Sequence, residues 1–343
     1  MASEGPLRVA LDAMGGDRAP AEVVKGGLAA ARDFGVAVAL VGDRSRIEEL
    51  LGDEDRAEGV TIVHARDVVS MNDHPAEAVR RKRNSSIAVA ARLVKEGEAD
   101  ALVSAGHTGA AMAAALFHIG RVRGVDRPAI AVPLPTATGV CLLLDAGANV
   151  EVRPEHLVQF AQMGAVYARH VLGLDHPRVG LLNVGEEPTK GSRVVQEAYQ
   201  RLLSTAGVSF VGNVEGKDVP VGAADVIVCD GFTGNIVLKL AEGLSAAMFE
   251  LLRRDAFAGW RGAVAGALLR PSLRRIRRRL DYAEFGGAPL LGVDGVVAIA
   301  HGRSDRRAIR NAIRAAVQAA RQSVPARIGQ AMDIIYQECE ARA

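Results

Sequence analysis

Cysteine is scarce in this chain of 343 residues: there are three, Cys141, Cys229 and Cys339, far apart and with no metal-type spacing. Two of them sit inside apolar runs (GVCLLLDAG and DVIVCDG), where small buried thiols are common, so a reduced, cytoplasmic setting is expected. No apolar run reaches the 18 residues that a membrane-crossing helix needs. The start, MASEGPLRVALDAM, lacks a long apolar stretch, and no signal peptide is expected. An excess of one charge is missing too: 42 basic against 40 acidic residues leave +2, so no global field for nucleic acid follows. There is no GxGxxG turn, Walker A loop, GxSxG elbow, HExxH or CxxC. A dinucleotide fingerprint, a serine nucleophile and a metal site are therefore unsupported, and neither a cofactor nor a metal is expected.

What the chain does have is alternation. Short β-rich runs over 8–14, 37–42, 61–64, 99–104, 129–134, 140–145, 179–184, 209–212 and 225–229 predict strands. Between and after them, helical patterns cover 21–34, 75–96, 108–119, 154–172, 192–206, 234–254 and 304–323. Continuous Val/Ile/Leu strands alternating with helices imply a mostly parallel sheet covered on both faces, an α/β doubly wound architecture. No repeat or low-complexity linker divides residues 1–343, which predicts one α/β body.

Residues 250–285 break the pattern and are expected to project as a helical segment. Over residues 253–279 nine arginines (253, 254, 261, 270, 274, 275, 277, 278 and 279) accompany one acid, Asp255. Phe257, Trp260, Val264, Leu268 and Leu269 lie between the basic clusters, and Leu269, Leu273, Ile276 and Leu280 share one helical face. Two interpretations fit: a surface helix that buries its apolar stripe on the protein, or an interfacial element with arginines on anionic headgroups.

Ligands of open parallel sheets bind where strands end and helices begin, because free helix N–H groups converge there. Five such junctions are rich in glycine and polar groups. LDAMGGD (11–17) offers Gly15 and Gly16 for close backbone approach, flanked by Asp12 and by Asp17, itself a candidate helix cap. SAGHTGA (104–110) places Ser104, Gly106, Thr108 and Gly109 around His107, a candidate acid/base group or a structural residue. NVGEEPTKG (183–191) holds Asn183, Gly185, Glu187 and Lys190. A lysine at a helix start opposes the local dipole, so either an anion or a surface pair with Glu187 explains it. CDGFTGN (229–235) brings Asp230, Gly231, Thr233, Gly234 and Asn235, with Thr233 a candidate cap and Asn235 a candidate oxyanion donor. GGAPLLGVDG (286–295) leads to AHGRSD, where His301 and Arg303 are less expected than the caps Ser304 and Asp305.

In order, LDAMGGD, RRKRNSS, SAGHTGA, LLDAGAN, LLNVGEEPTKG, CDGFTGN and GGAPLLGVDGVVAIAHGRSD resemble the motif series of the bacterial PlsX family, the phosphate acyltransferases of phospholipid synthesis, over about residues 8–320. The resemblance implies a Rossmann-like fold related to the isocitrate/isopropylmalate dehydrogenases, usually in a homodimer. It implies transfer of a fatty acyl group from acyl carrier protein to inorganic phosphate, for later use by a PlsY-type membrane acyltransferase. It also implies association with an anionic membrane surface. One departure stands at His107, where the family commonly has asparagine. On this basis Lys190 and helix-start amides are expected to hold phosphate, and Asn235 to stabilise the oxyanion. Lys190 or His107 would protonate the leaving sulfur, with Asp12, Asp17 and Glu187 orienting them. Arg80, Arg81, Lys82 and Arg83, or residues 270–279, are candidates for docking the acidic carrier protein. A phosphate acetyltransferase, a dehydrogenase and a membrane scaffold are the rival readings.

Overall fold

A computed structural model describes residues 5–51, 58–252, 254, 259–280 and 286–342. Its strands are β1 (Arg8–Asp12), β2 (Ala37–Gly42), β3 (Val60–His64), β4 (Ala101–Ser104), β5 (Ala129–Ile130), β6 (Val132–Pro135), β7 (Val140–Leu144), β8 (Arg178–Asn183), β9 (Ser209–Glu215), β10 (Val226–Val228), β11 (Ala288–Leu291) and β12 (Val296–Ile299). They form two sheets, a seven-stranded one ordered β3-β2-β1-β4-β12-β11-β5 and a five-stranded one ordered β6-β7-β10-β8-β9. Pairing is parallel except at β11 with β12, β11 with β5 and β6 with β7. The expected mostly parallel α/β fold is present, divided between two sheets.

Register sets the site. In the larger sheet Asp12, Ser104 and Ile299 are direct cross-strand partners, so the loops after β1, β4 and β12 leave side by side. In the smaller sheet Leu144, Val228 and Leu181 are partners, and the loops after β7, β10 and β8 do the same. The strands are apolar on both faces because helices cover both: Leu11, Leu40, Leu102, Leu142, Leu144 and Leu181 are fully buried.

Several expectations need correction. The single strand expected over 129–134 is two: β5 pairs with β11 in one sheet, β6 pairs with β7 in the other, and Ala131 is the crossing point. The segments Ala288–Leu291 and Val296–Ile299, which the sequence presents as loop and apolar run, are strands. The helix expected over 75–96 is broken into Pro75–Arg81 and Ser86–Lys95. Between them Lys82 turns inward, and its ammonium donates to Asp73 and to the Val68 carbonyl. Helices Arg44–Leu50 and Val324–Arg342 were not expected. Helix Thr108–Ala114 runs on through a π-helical turn, Ala115–Ile119.

Helix Gly259–Leu280 carries Pro271 within it. Val264, Leu268, Leu269 and Ile276 are 49–77% exposed, so these side chains are not buried on the protein. Phe257 and residues 281–285 lie outside the described residues, as does the side chain of Trp260. Among the described residues, no helix is long and apolar enough to cross a membrane.

Candidate active site

Asp12 ends β1 and is buried. The Ser104 hydroxyl donates to its Oδ2 at 2.7 Å, the Met14 amide donates to Oδ1 at 3.3 Å, and the Gly106 amide donates to Ser104 Oγ at 3.1 Å. Burial raises the Asp12 carboxyl, against hydrogen bonds from Ser86, Ser104, Met14 and Gly15 that lower it. Gly15 has no room for a side chain: a Cβ would stand 2.5 Å from Asp12 Oδ2 and 2.8 Å from the Gly106 nitrogen. The Asp17 amide donates to the Gly302 carbonyl at 2.8 Å, which joins the loop after β12 to the same surface. Asp17 does not cap the following helix, whose N-cap is Pro20.

His107 is the N-cap of helix Thr108–Ala114, its Nδ1 accepting from the Gly109 amide at 3.1 Å. An asparagine side-chain oxygen is equally able to accept at an N-cap, and the acceptor duty places the neutral ring's proton on Nε2.

The second group of loops is built around Asp145, a residue that sequence reasoning missed. Its Oδ1 accepts from the amides of Ile130, Gly147 and Ala148, and its Oδ2 from the amide and side chain of Asn149, at 2.6–3.2 Å. Burial pushes its carboxyl up while these donors stabilise the charged form. Helix Gly231–Leu251 starts against this loop: the Gly231 amide donates to the Asn149 carbonyl at 2.7 Å. A Cβ on Gly234 would fall 1.9 Å from the Asp145 carbonyl oxygen. The helix cap is Asp230, which accepts from the Thr233 amide at 2.8 Å and the Thr233 hydroxyl at 2.7 Å, so Thr233 is capped and not the cap. Asn235, one turn in, is exposed and lies over Gly147, at 3.7 Å from the ideal Cβ position there.

Lys190 belongs to the loop after β8. The Asn183 amide nitrogen donates to the Lys190 carbonyl at 3.1 Å, and Asn213 donates to the Glu187 carbonyl at 2.9 Å. Lys190 Cγ and Glu187 Oε2 both lie over Gly185, 2.9 and 3.0 Å from its ideal Cβ position. The two are nevertheless not an ion pair, and the exposed Lys190 ammonium has no ion-pair partner among the described residues.

Between the two groups of loops lies a cleft of about 360 Å³. Its polar lining is Thr108, Gly147, Asn235, Lys239, Glu242 and His301, and its apolar lining includes Ile130, Val132, Pro133, Ala146, Leu238 and Ile299. The structure thus brings Thr108 and Asn235 to one cavity and adds His301, whose Nδ1 accepts from the Arg303 amide at 3.1 Å. Lys190 and His107 are not part of that lining. Lys190 stands on the strand-end loop next to that of β10, and His107 immediately precedes Thr108.

The family described as "fatty acid synthesis protein" matches residues 7–327. A phosphate acyltransferase from Desulfitobacterium hafniense (strain Y51) is 54% identical over 304 residues, 88% of this chain and 90% of that protein. The chain belongs to this family, the PlsX phosphate acyltransferases. Among solved structures, a phosphotransacetylase from Streptococcus pyogenes has a TM-score of 0.63 at 17% identity, covering 92% of this chain and 94% of that one. A 4-hydroxythreonine-4-phosphate dehydrogenase from Klebsiella pneumoniae has a TM-score of 0.50 at 15% identity, covering 93% and 99%. At these identities the two likenesses speak to the Rossmann-like fold alone.

A PlsX protein is an acyltransferase, and two features bear on how this one works. Cys141 and Cys229 are buried, and burial pushes the Cys141 thiol up to about 12 and the Cys229 thiol well above its ordinary value. Neither is poised as a nucleophile. Among the described residues, no group of three or more His, Cys, Asp or Glu side chains is placed to hold a metal ion.

Proposed function

We propose that this phosphate acyltransferase moves a long-chain fatty acyl group from acyl carrier protein to inorganic phosphate, yielding the acyl phosphate that a PlsY-type membrane acyltransferase uses on glycerol 3-phosphate. The cleft carries this proposal: loops from both sheets put Thr108, Gly147, Asn235 and His301 at its polar lining, above an apolar floor. That combination suits a thioester with an aliphatic tail.

A phosphate oxygen attacks the thioester carbonyl, the tetrahedral oxyanion collapses, the carbon–sulfur bond breaks and the thiolate takes a proton. Lys190 and those amides of the SAGHTGA and DGFTGN turns that do not already donate to Ser104, His107, Asn149 or Asp230 hold phosphate for direct attack. Asn235 donates to the oxyanion, a contribution of about 3–4 kcal/mol for a well-placed donor. Protonation of the sulfur falls to Lys190 in preference to His107, whose Nδ1 would have to give up the Gly109 amide to become an imidazolium. Asp12, Asp17 and Glu187 orient these groups.

Phosphate-dependent release of free acyl carrier protein from a long-chain acyl donor tests the reaction, with acetyl-CoA as the rival donor. Lys190→Ala is expected to abolish acyl-phosphate formation with the fold intact; near-normal turnover would remove Lys190 from the mechanism.

The carrier protein is acidic, and Arg80 and Arg83 are exposed, Arg80 lying 4.7 Å from the ring centre of Phe117. They suit its docking better than Arg81, paired with Glu77, or Lys82, held by Asp73. The exposed Val264, Leu268 and Leu269, beside exposed Arg270, Arg274 and Arg275, support helix Gly259–Leu280 as the element that rests on an anionic membrane at the inner face of the cell. A second copy of the chain covers Phe232, Ile236, Leu240, Leu244 and Met248, a stripe 50–66% exposed along helix Gly231–Leu251.

A further inference from the structure

We infer that the apolar part of the cleft is the seat of the acyl chain, and that Leu238 is a residue that sets how chain length is discriminated. The inference rests on the acyl-transfer reaction proposed above and goes on to assign the subsite.

Three observations place the chain there. The floor is formed where the two sheets meet: Val132 and Leu238 each pack against two separate clusters of the hydrophobic core, one under each sheet. Ile130, Pro133, Ala146 and Ile299 extend this apolar seam along the floor of the cleft. Second, the cleft follows helix Gly231–Leu251 from Asn235 past Leu238 and Lys239 to Glu242. Seven residues of helix span roughly 10 Å, room for a run of methylenes and far more than an acetyl group fills. Third, polarity is graded along that path. Asn235, the proposed oxyanion donor, stands at one end, and the Lys239–Glu242 ion pair, at 3.5 Å, stands at the other. A thioester whose carbonyl meets Asn235 directs its chain along Leu238. Phosphate and the carrier's pantetheine gain nothing from this floor, because both are polar; only the hydrocarbon does.

Each methylene that enters such a floor strengthens transition-state binding by about 0.8 kcal/mol, roughly fourfold in kcat/KM. The gain stops where the chain passes the Lys239–Glu242 end and returns to water.

The test compares kcat/KM for acetyl, octanoyl and palmitoyl thioesters of acyl carrier protein in the wild type, in Leu238→Trp and in Leu238→Ala. The wild type is expected to prefer octanoyl over acetyl by at least about tenfold. Leu238→Trp fills the floor and is expected to reduce the octanoyl/acetyl and palmitoyl/acetyl ratios by at least about tenfold. Leu238→Ala removes contact without blocking and lowers the same ratios by a smaller factor. Circular dichroism of each variant shows that the fold is kept. Equal rates with all three donors in the wild type, or an equal loss on all three in both variants, overturns the subsite while leaving phosphate acyl transfer in place. If no donor releases its carrier in a phosphate-dependent way, the reaction itself is wrong and the subsite falls with it.

Discussion

Among the described glycines, Gly234 leaves a side chain very little room. The ideal Cβ would overlap the Asp145 carbonyl oxygen at 1.9 Å, and backbone on both sides is fixed, by five hydrogen bonds to the Asp145 carboxylate and by the helix start. Gly234→Ala is expected to cost roughly 3 kcal/mol or more, as overpacking against backbone does, and urea denaturation will measure it. The adjacent Asn235 moves with the displaced helix start, so kcat falls as well. His107 makes the opposite case. Its ring serves as a cap acceptor, which Asn reproduces, so His107→Asn should change stability by less than about 0.5 kcal/mol, while His107→Ala costs about 1 kcal/mol. The pH–rate profile decides whether the ring also does chemistry. A histidine acid would make the wild-type rate fall as pH rises through its pKa, and the Asn variant would lack that limb. Identical profiles are expected.

At the scale of elements, the loops were more legible than the strands they follow. Glycine-rich turns such as LDAMGGD and CDGFTGN announce themselves because close backbone approach demands glycine, and the structure uses Gly15 and Gly234 in that way. β11 and β12 did not, since four-residue runs, one with Pro289 inside it and the two separated by Gly292 and Gly295, look like loops until a partner strand is supplied. Asp145 lies inside LLDAGAN with nothing in that run to single it out. Its meaning comes from five donors, one of them on Ile130 fifteen positions away, that only the fold collects. The apolar floor of the cleft carries no local signal at all, because its residues resemble any other core. The arginine-rich helix was legible as amphipathic, but not whether its apolar side would be covered. Val264 and Leu268 remain 55% and 77% exposed. The pair Val264→Asp and Leu268→Asp should lower partitioning onto anionic vesicles at least about tenfold in flotation, since each apolar side chain buried in lipid contributes roughly 1.5–3 kcal/mol. Equal flotation would release this helix from that role.

For the whole molecule, the long stripe on helix Gly231–Leu251 sets the expected assembly. Leu240, 66% exposed, stands in the middle of five apolar residues at four-residue spacing. Leu240→Asp is expected to convert a dimer into a monomer in sedimentation velocity, with far-ultraviolet circular dichroism unchanged. A wild type that sediments as a monomer would end the dimer proposal.

The crossing at Ala131 carries a mechanical consequence. The β5–β6 segment that passes from one sheet to the other also supplies Ile130 and Val132 to the floor of the cleft, and the Asp145 carboxylate clamps the Ile130 amide at 3.0 Å. The segment that ties one sheet to the other is therefore the same one that lines the cavity between them, so a change of shape at Val132 reaches the packing of both sheets and the wall of the cleft together.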